Sequence, residues 1–377
     1  MQFVIEKKPL LSGLAKAVPI SQEKASIPIL NHVLLTAVAP ALPPEPGSLS
    51  IAANNLSVGL DLSIPCDVQV DGGLALPGRK LLEIIKELPD GDVNISLQDN
   101  GRIAITSGDV KASLAGLPVE DFPAFVDVSE AEFGAIDAET LSTALERVVF
   151  ACSMSESRFN LNAVLFERVD AGVKLVTTDG HRLALATTTI PLAIPNGKAV
   201  IPRRNVIELQ RVLNALDGQA EIGFSAKNLV LRSGEGTSQL TATFRLADAE
   251  YPAYEKVLPE GNPSILTIDR AAFMQAVKRV SIMTSENRSG ATMDIEENAI
   301  RLTVEHPDLG TITDTVQATW EGFGPESVIV NASYLLEGLS VFKGDTINIA
   351  IRDMGGPMIF ECPGDDGYFN LLMPMRK

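Results

Sequence analysis

The sequence predicts an α+β protein made of three repeated domains, each with two helices packed on antiparallel sheets. Three anchors that recur at one period carry this prediction. The first is helical: Gly78-Arg79-Lys80-Leu81-Leu82-Glu83-Ile84-Ile85 returns as Pro202-Arg203-Arg204-Asn205-Val206-Ile207-Glu208-Leu209 and, eroded, as Asn331-Ala332-Ser333-Tyr334-Leu335-Leu336-Glu337-Gly338-Leu339. Its glutamates Glu83, Glu208 and Glu337 are spaced by 125 and 129 residues. In the second, Glu6 to Leu14 aligns with Asp137 to Leu145 at an offset of 131 and with Asp269 to Val277 after a further 132. The third sets Phe122-Pro123-Ala124-Phe125 against Tyr251-Pro252-Ala253-Tyr254, 129 residues on. A period of about 130 residues has the size of a whole domain and is too long for a stacked solenoid unit of roughly 20–50 residues. The implied domains are 1–127, 128–258 and 259–377, and a chain of 377 residues also exceeds what one core ordinarily holds together.

Within the first copy, the spacing predicts a helix from about Lys7 to Val18 and another from about Arg79 to Leu88, where Leu81, Leu82, Ile84, Ile85 and Leu88 recur at helical intervals. Alternating runs at 49–53, 56–62, 93–97 and 103–106 read as half-buried strands. Turns separate them at Asp71-Gly72-Gly73, Pro89-Asp90-Gly91 and Asp99-Asn100-Gly101. The order recurs with helices near Glu139 to Val149, Arg203 to Leu213, Arg270 to Val280 and Ala332 to Lys343. A proline-rich loop over 39–47 has no counterpart in the other copies and reads as a surface insertion.

Composition fits a globular chain, 45% hydrophobic and 21% charged, without the ~20 consecutive apolar residues of a membrane span. The first eight residues lack a secretory apolar run, so a cytoplasmic location and no membrane partner are expected. Cys66, Cys152 and Cys362 are odd in number and lack metal-ligand spacing, so neither a disulfide framework nor a metal site is expected.

The net charge is −17, which by itself argues against nucleic acid. Its distribution points the other way. The six predicted helices carry fourteen basic and six acidic residues, a net +8, which leaves −25 on the remainder. Charge alone fits ordinary solvated helix faces equally well. Equivalent helices in equivalent domains favour a common positive lining within an acidic shell, able to accept a polyanion that the exterior repels.

The run Asp179-Gly180-His181-Arg182 admits an enzymatic reading, with His181 as general base and a carboxylate orienting it. No Gly-x-Ser-x-Gly, phosphate loop or metal-spaced histidine pair accompanies it, and His32 and His306 lie in unrelated segments. A hydrolase centred on Asp179 and His181, or a scaffold that binds partners without DNA, are the competing classes.

Thr178-Asp179-Gly180-His181-Arg182-Leu183-Ala184, the Phe-Pro and Tyr-Pro-Ala-Tyr segments, Val200-Ile201-Pro202-Arg203 and the terminal Met373-Pro374-Met375-Arg376 together resemble the bacterial DNA polymerase III beta subunit family, the sliding clamps. The resemblance runs in order from Phe3 to Arg376. It implies a non-catalytic, cofactor-free processivity factor. Two chains would close head to tail into a six-domain ring around duplex DNA, with helices inside and sheets outside. The implied partners are DNA without base readout, the replicative polymerase catalytic subunit, the clamp loader, and other polymerases and repair proteins that carry a clamp-binding peptide.

Carried over position by position, the resemblance places a peptide groove between the second and third domains at Leu161, Thr178, Gly180, His181, Arg182, Leu183, Pro252, Lys256, Val257, Tyr334, Leu371, Leu372, Met373, Pro374, Met375 and Arg376. Its apolar members suit an anchor side chain, with methionines that repack around different ligands. Arg182, Arg376, Thr178 and His181 are expected at the rim. Lys256 stands where arginine is common and lacks the planar fork. DNA contacts fall to Lys24, Arg79, Arg158 and Arg203. The dimer contact pairs the strand Val110-Lys111-Ala112-Ser113-Leu114 with Ile282 and Met283 of a second copy, and Ala112 occupies a place where relatives can carry a bulky aromatic.

Overall fold

A computed structural model of the chain describes residues 1–21, 27–40, 45–158, 160–170, 172–216, 218–259, 264–285, 289–322, 326–353 and 355–375. Lys24, Arg376 and the centre of the proline-rich loop, 41–44, lie outside them.

One order of ten elements occurs three times. The first copy runs β1 (Gln2–Glu6), α1 (Lys7–Ala17), β2 (His32–Val38), β3 (Gly47–Asn54), β4 (Val58–Val70), β5 (Gly72–Pro77), α2 (Gly78–Glu87), β6 (Asp92–Leu97), β7 (Arg102–Ser107) and β8 (Val110–Ala115). The second runs β9 (Glu132–Asp137), α3 (Ala138–Val149), β10 (Ala163–Val169), β11 (Gly172–Thr178), β12 (Arg182–Thr188), β13 (Lys198–Pro202), α4 (Arg203–Leu213), β14 (Gln219–Phe224), β15 (Asn228–Glu235) and β16 (Ser238–Arg245). The third runs β17 (Ser264–Asp269), α5 (Arg270–Val280), β18 (Gly290–Ile295), β19 (Ala299–His306), β20 (Gly310–Glu321), β21 (Glu326–Asn331), α6 (Ala332–Ser340), β22 (Thr346–Ile351), β23 (Met358–Glu361) and β24 (Tyr368–Leu372).

The repeat extends to single hydrogen bonds. The first N–H of the first helix in each copy, an orphan donor in an isolated helix, donates to the turn before a later strand of the same copy: Lys7 to Gly91, Ala138 to Gly218, Arg270 to Asp345. Helices bury one stripe at the 3- and 4-residue spacing that a period of 3.6 demands: Leu10, Gly13, Leu14 and Ala17 in α1, Phe273, Ala276, Val277 and Val280 in α5. Gly13 lets α1 approach β3, since a Cβ there would sit 2.7 Å from Ile51 Cδ1. Asp269 and Asn331 cap α5 and α6 by accepting backbone N–H groups, the usual role of Asx side chains at helix starts. Because α6 ends at Ser340, Lys343 is not helical, and the observed helices carry one positive charge fewer than predicted.

The strands form two twelve-stranded antiparallel sheets, each within one compact unit. The first unit holds residues 1–139, 192–195 and 207–246, and its sheet runs β8-β7-β6-β1-β4-β16-β15-β14-β9, with β3, β2 and β5 attached beside β4. The second unit holds 140–191, 196–206 and 247–377, with the order β13-β10-β11-β12-β24-β23-β22-β17-β20-β19-β18-β21. Compactness and sequence repeat thus divide the chain differently, because four strands of the middle copy join each sheet.

Long strands make this possible. In β4, Val58 to Leu62 pair with β16 and Asp67 to Val70 pair with β1. Pro65, which lacks an N–H, falls between these two ladders. In the second unit, β12 pairs with β24 as β4 does with β16. Among the described residues no helix is long and apolar enough to cross a membrane.

Candidate functional site

The turn from β11 to β12 is built by its own polar side chains. Thr178 Oγ1 accepts the Gly180 N–H at 3.1 Å and donates to Arg182 O at 2.6 Å. Asp179 Oδ1 accepts the N–H groups of His181 and Arg182 at 2.9 and 3.0 Å, and its Oδ2 accepts Arg182 Nε at 3.0 Å. Gly180 has φ +90°, a left-handed value that a side chain would make costly. Asp179 is therefore fully engaged in shaping the turn and holds Arg182 rather than the exposed His181 ring. The carboxylate–histidine dyad of the enzymatic reading is not assembled.

Arg182 corrects another expectation. It does not stand at a rim but is 8% exposed. Its guanidinium donates to Glu337 Oε2 at 2.6 Å and to Phe150 O at 2.7 Å, and lies 4.1 Å from the Tyr334 ring centroid, a cation–π distance. Phe150 and Glu337 were absent from the expected site. Glu337 was visible in the sequence only as a repeat marker. Its counterparts Glu83 and Glu208 pair within their own helices, with Arg79, Lys80 and Arg211.

The chain end closes over this turn. β24 sets Leu372 opposite Arg182 and Leu371 opposite Leu183. Met373 N–H then donates to His181 O at 2.8 Å, and Met375 N–H to Ile329 O at 2.8 Å. Beneath lies an apolar floor of Leu183, Leu371 and Tyr254, with Met373, Tyr251 and Leu258 packed on it. Tyr254 is anchored by its hydroxyl to Glu167 at 2.5 Å, and burial first, then this bond, raise its pKa.

Gly180, His181, Pro252, Lys256, Val257 and Met375 are exposed, whereas Leu161, Thr178, Tyr334, Met373 and Pro374 are half-buried. Val257 and Met375 are 48% and 40% exposed and present apolar surface at this turn. Leu183, Leu371 and Leu372 are buried and form the floor rather than the surface.

The expected DNA residues differ in their local settings. Arg79, on α2, is exposed and its Nε reaches Glu83 at 3.2 Å. Arg203 is half-buried at the start of α4. Arg158 ends a 3₁₀ turn over Glu156–Arg158, and its guanidinium donates to Asp179 O at 3.1 Å.

Of the expected dimer residues, Lys111 is exposed, Ala112 half-buried and Leu114 buried on β8, which among the described residues pairs only with β7. Ile282, 75% exposed, and Met283 follow α5 in a 3₁₀ turn over Ser281–Met283. They sit on no strand.

Models of the N-terminal, central and C-terminal domains of the DNA polymerase III beta subunit match residues 1–126, 135–253 and 255–376. The proteins called beta sliding clamp in Caulobacter vibrioides and Vibrio cholerae are 30% and 29% identical to this chain, with full coverage on both sides. Similar solved structures include the DNA polymerase III subunit beta of Pseudomonas aeruginosa, with TM-score 0.92, 26% identity and complete coverage of both chains. A Bartonella birtlesii sliding clamp bound to griselimycin has TM-score 0.90, 28% identity and the same coverage.

Proposed function

The chain belongs to the DNA polymerase III beta subunit family, the sliding clamps, and we propose on that premise that two copies close head to tail into a ring of six similar domains around duplex DNA. One observation carries this reading. The β4–β16 and β12–β24 ladders are the same junction used twice, and a third use is left open at each end. β8 is the counterpart of β16, since Ala115 faces the first residue of β7 as Arg245 faces the first residue of β15. β20 is the counterpart of β4, since Trp320 faces Leu266 as Val68 faces Phe3. Unpaired strand edges invite pairing with another chain.

The repeat also gives a register. Phe244 pairs with Val58 and Ala242 with Leu60, so Leu114 of one copy would face Gly310 of the other, and Ala112 would face Ile312. Ile282 and Met283 would add side-chain contacts at that edge.

Such a ring holds DNA by topology. Weak, water-mediated phosphate contacts from helices of modest positive charge permit sliding. Arg79 and Arg203, one position apart at the starts of the equivalent helices α2 and α4, are the favoured contacts, with Lys24 and Arg158 secondary. The groove around Gly180, His181, Pro252, Val257, Tyr334, Met373 and Met375 would tether the polymerase, the clamp loader and other replication and repair proteins through short peptides with glutamine and leucyl or phenylalanyl anchors. It supplies an apolar floor and adaptable methionines. The domains of this ring are 1–127, 128–258 and 259–377, and its place is the cytoplasm.

Light scattering tests the assembly. A mass of about twice 40.2 kDa is expected, reduced to one chain by Ile312→Asp on the open edge. A monomer in the unmodified protein at micromolar concentration would overturn the ring.

A further inference from the structure

The turn after β3 repeats three side-chain-to-backbone hydrogen bonds of the turn after β11. Asn54 Oδ1 accepts the Leu56 N–H at 2.8 Å, as Thr178 Oγ1 accepts that of Gly180. Asn55 Oδ1 accepts the N–H groups of Ser57 and Val58 at 3.0 and 2.8 Å, as Asp179 accepts those of His181 and Arg182. Arg245 N–H donates to Ser57 O at 2.8 Å, as Met373 N–H does to His181 O. The first unit thus contains the backbone frame of the peptide groove with different side chains on it.

Those side chains open the site. Gly59 replaces Leu183, so the floor lacks the leucine. Val58 replaces Arg182, so nothing equivalent to its tether to α6 crosses the turn. The result is a cleft of about 310 Å³ whose lining includes Leu56, Val58, Gly59, Val126, Lys227 and Arg245. That volume is at the lower end for ligand sites. Leu56 and Val126 are 52% and 47% exposed, and neighbouring Phe125, without the hydroxyl that anchors its counterpart Tyr254, is 36% exposed. Leu56 also holds φ +70°, a conformation that a bulky residue adopts at a cost and that recurs at binding sites. Folding does not require leucine there; Gly180 makes the same turn without a side chain.

We propose that this cleft is a second peptide-docking site, taking a short extended segment with one apolar anchor side chain flanked by carboxylates. The anchor enters between Leu56 and Val126 over Gly59. The flanking carboxylates face Lys227 and Arg245, the charged residues among its described lining, in which no acid occurs. On a chain of net charge −17, a cationic cleft selects acidic ligands sharply from a surface that otherwise repels them. The inference shares with the proposed groove only the backbone frame and does not depend on that groove being occupied.

The test uses fluorescein-labelled Asp-Glu-Leu-Asp-Glu, with anisotropy for affinity and calorimetry for stoichiometry. The full-length protein carries Val257→Glu to disable the first groove. Added changes are Lys227→Glu, which alters an exposed cation, and Leu56→Asn, which keeps the turn because asparagine tolerates positive φ. One peptide per chain is expected to remain bound in the Val257→Glu protein, with affinity lowered about tenfold by either added change, some 1.4 kcal/mol. Absence of binding in the Val257→Glu protein, or binding indifferent to both added changes, overturns the proposal. So does preferential capture of a short DNA duplex in place of the peptide. Failure of the first groove shows separately, as binding in the unmodified protein that Val257→Glu leaves unchanged.

Discussion

Arg182 and Glu337, 155 residues apart in sequence, meet at 2.6 Å and join the turn after β11 to α6. Their replacements are expected to differ. Arg182→Met leaves Asp179, 8% exposed, as a buried carboxylate without its cation, a situation that costs about 3–5 kcal/mol. Glu337→Gln removes a partner whose side chain is 51% exposed, where solvent screening limits the loss to less than about 1 kcal/mol. Thermal unfolding of the two variants decides the matter, and equal losses would contradict the tether.

Gly180 and Leu56 occupy equivalent left-handed positions, at φ +90° and +70°. Gly180→Ala is expected to destabilise by about 1–2 kcal/mol, the cost of placing a Cβ there. Leu56→Gly is expected to be neutral or stabilising. Shifts of the melting temperature in the same downward direction for both would refute the equivalence of the two turns.

Burial pushes the thiol of Cys66 up to about 11 and that of Cys152 up to about 12, from an ordinary 9.0. At pH 8 both are neutral and inert, because the thiolate is the reactive form. Prompt reaction with a disulfide reagent is expected only after unfolding, when all three cysteines respond. The unfolded chain loses these protons first, so the stabilisation is complete below pH 9 and is lost as pH rises from 9 towards 12. Burial raises Tyr254 and Tyr368 likewise, adding to the alkaline loss. A Cys66→Ala, Cys152→Ala double variant should show a shallower decline in stability between pH 9 and 11. An unchanged slope would contradict this assignment.

Ala112 is half-buried on the open edge of β8. If it faces Ile312 of a second copy, Ala112→Phe adds buried apolar surface worth roughly 1.5–3 kcal/mol. Sedimentation should show the dimer dissociation constant falling at least about tenfold. No change, or weakening, would mean that the edge is occupied differently.

Element order was legible in the sequence because the repeat superposed three noisy patterns: Leu10 and Leu14, Leu141 and Leu145, Phe273 and Val277 mark the same buried stripe in each copy. Leu183 and Leu371 were expected at the groove from the resemblance alone; their strands are buried almost throughout and show no alternation that would single them out. The role of Arg182 was not legible. An arginine in a polar turn reads as solvated, and only pairing across 155 residues with Glu337 reveals it as internal. The junction ladders were equally hidden, because nothing local in Val58–Leu62 or Leu240–Phe244 states which strand lies beside them. The 3₁₀ turn that carries Ile282 and Met283 was likewise hidden, since only their side-chain character was visible in the sequence.

Ring closure is tested most directly by an Ala112→Cys, Ile312→Cys protein oxidised in the presence of a nicked circular plasmid and then filtered at about 0.5 M salt, where electrostatic binding is weak. A cross-linked dimer that stays with the circle and is released when the plasmid is cut is the expected result. A chain that forms no cross-link between copies, or one that leaves the intact circle as readily as the cut one, would contradict it.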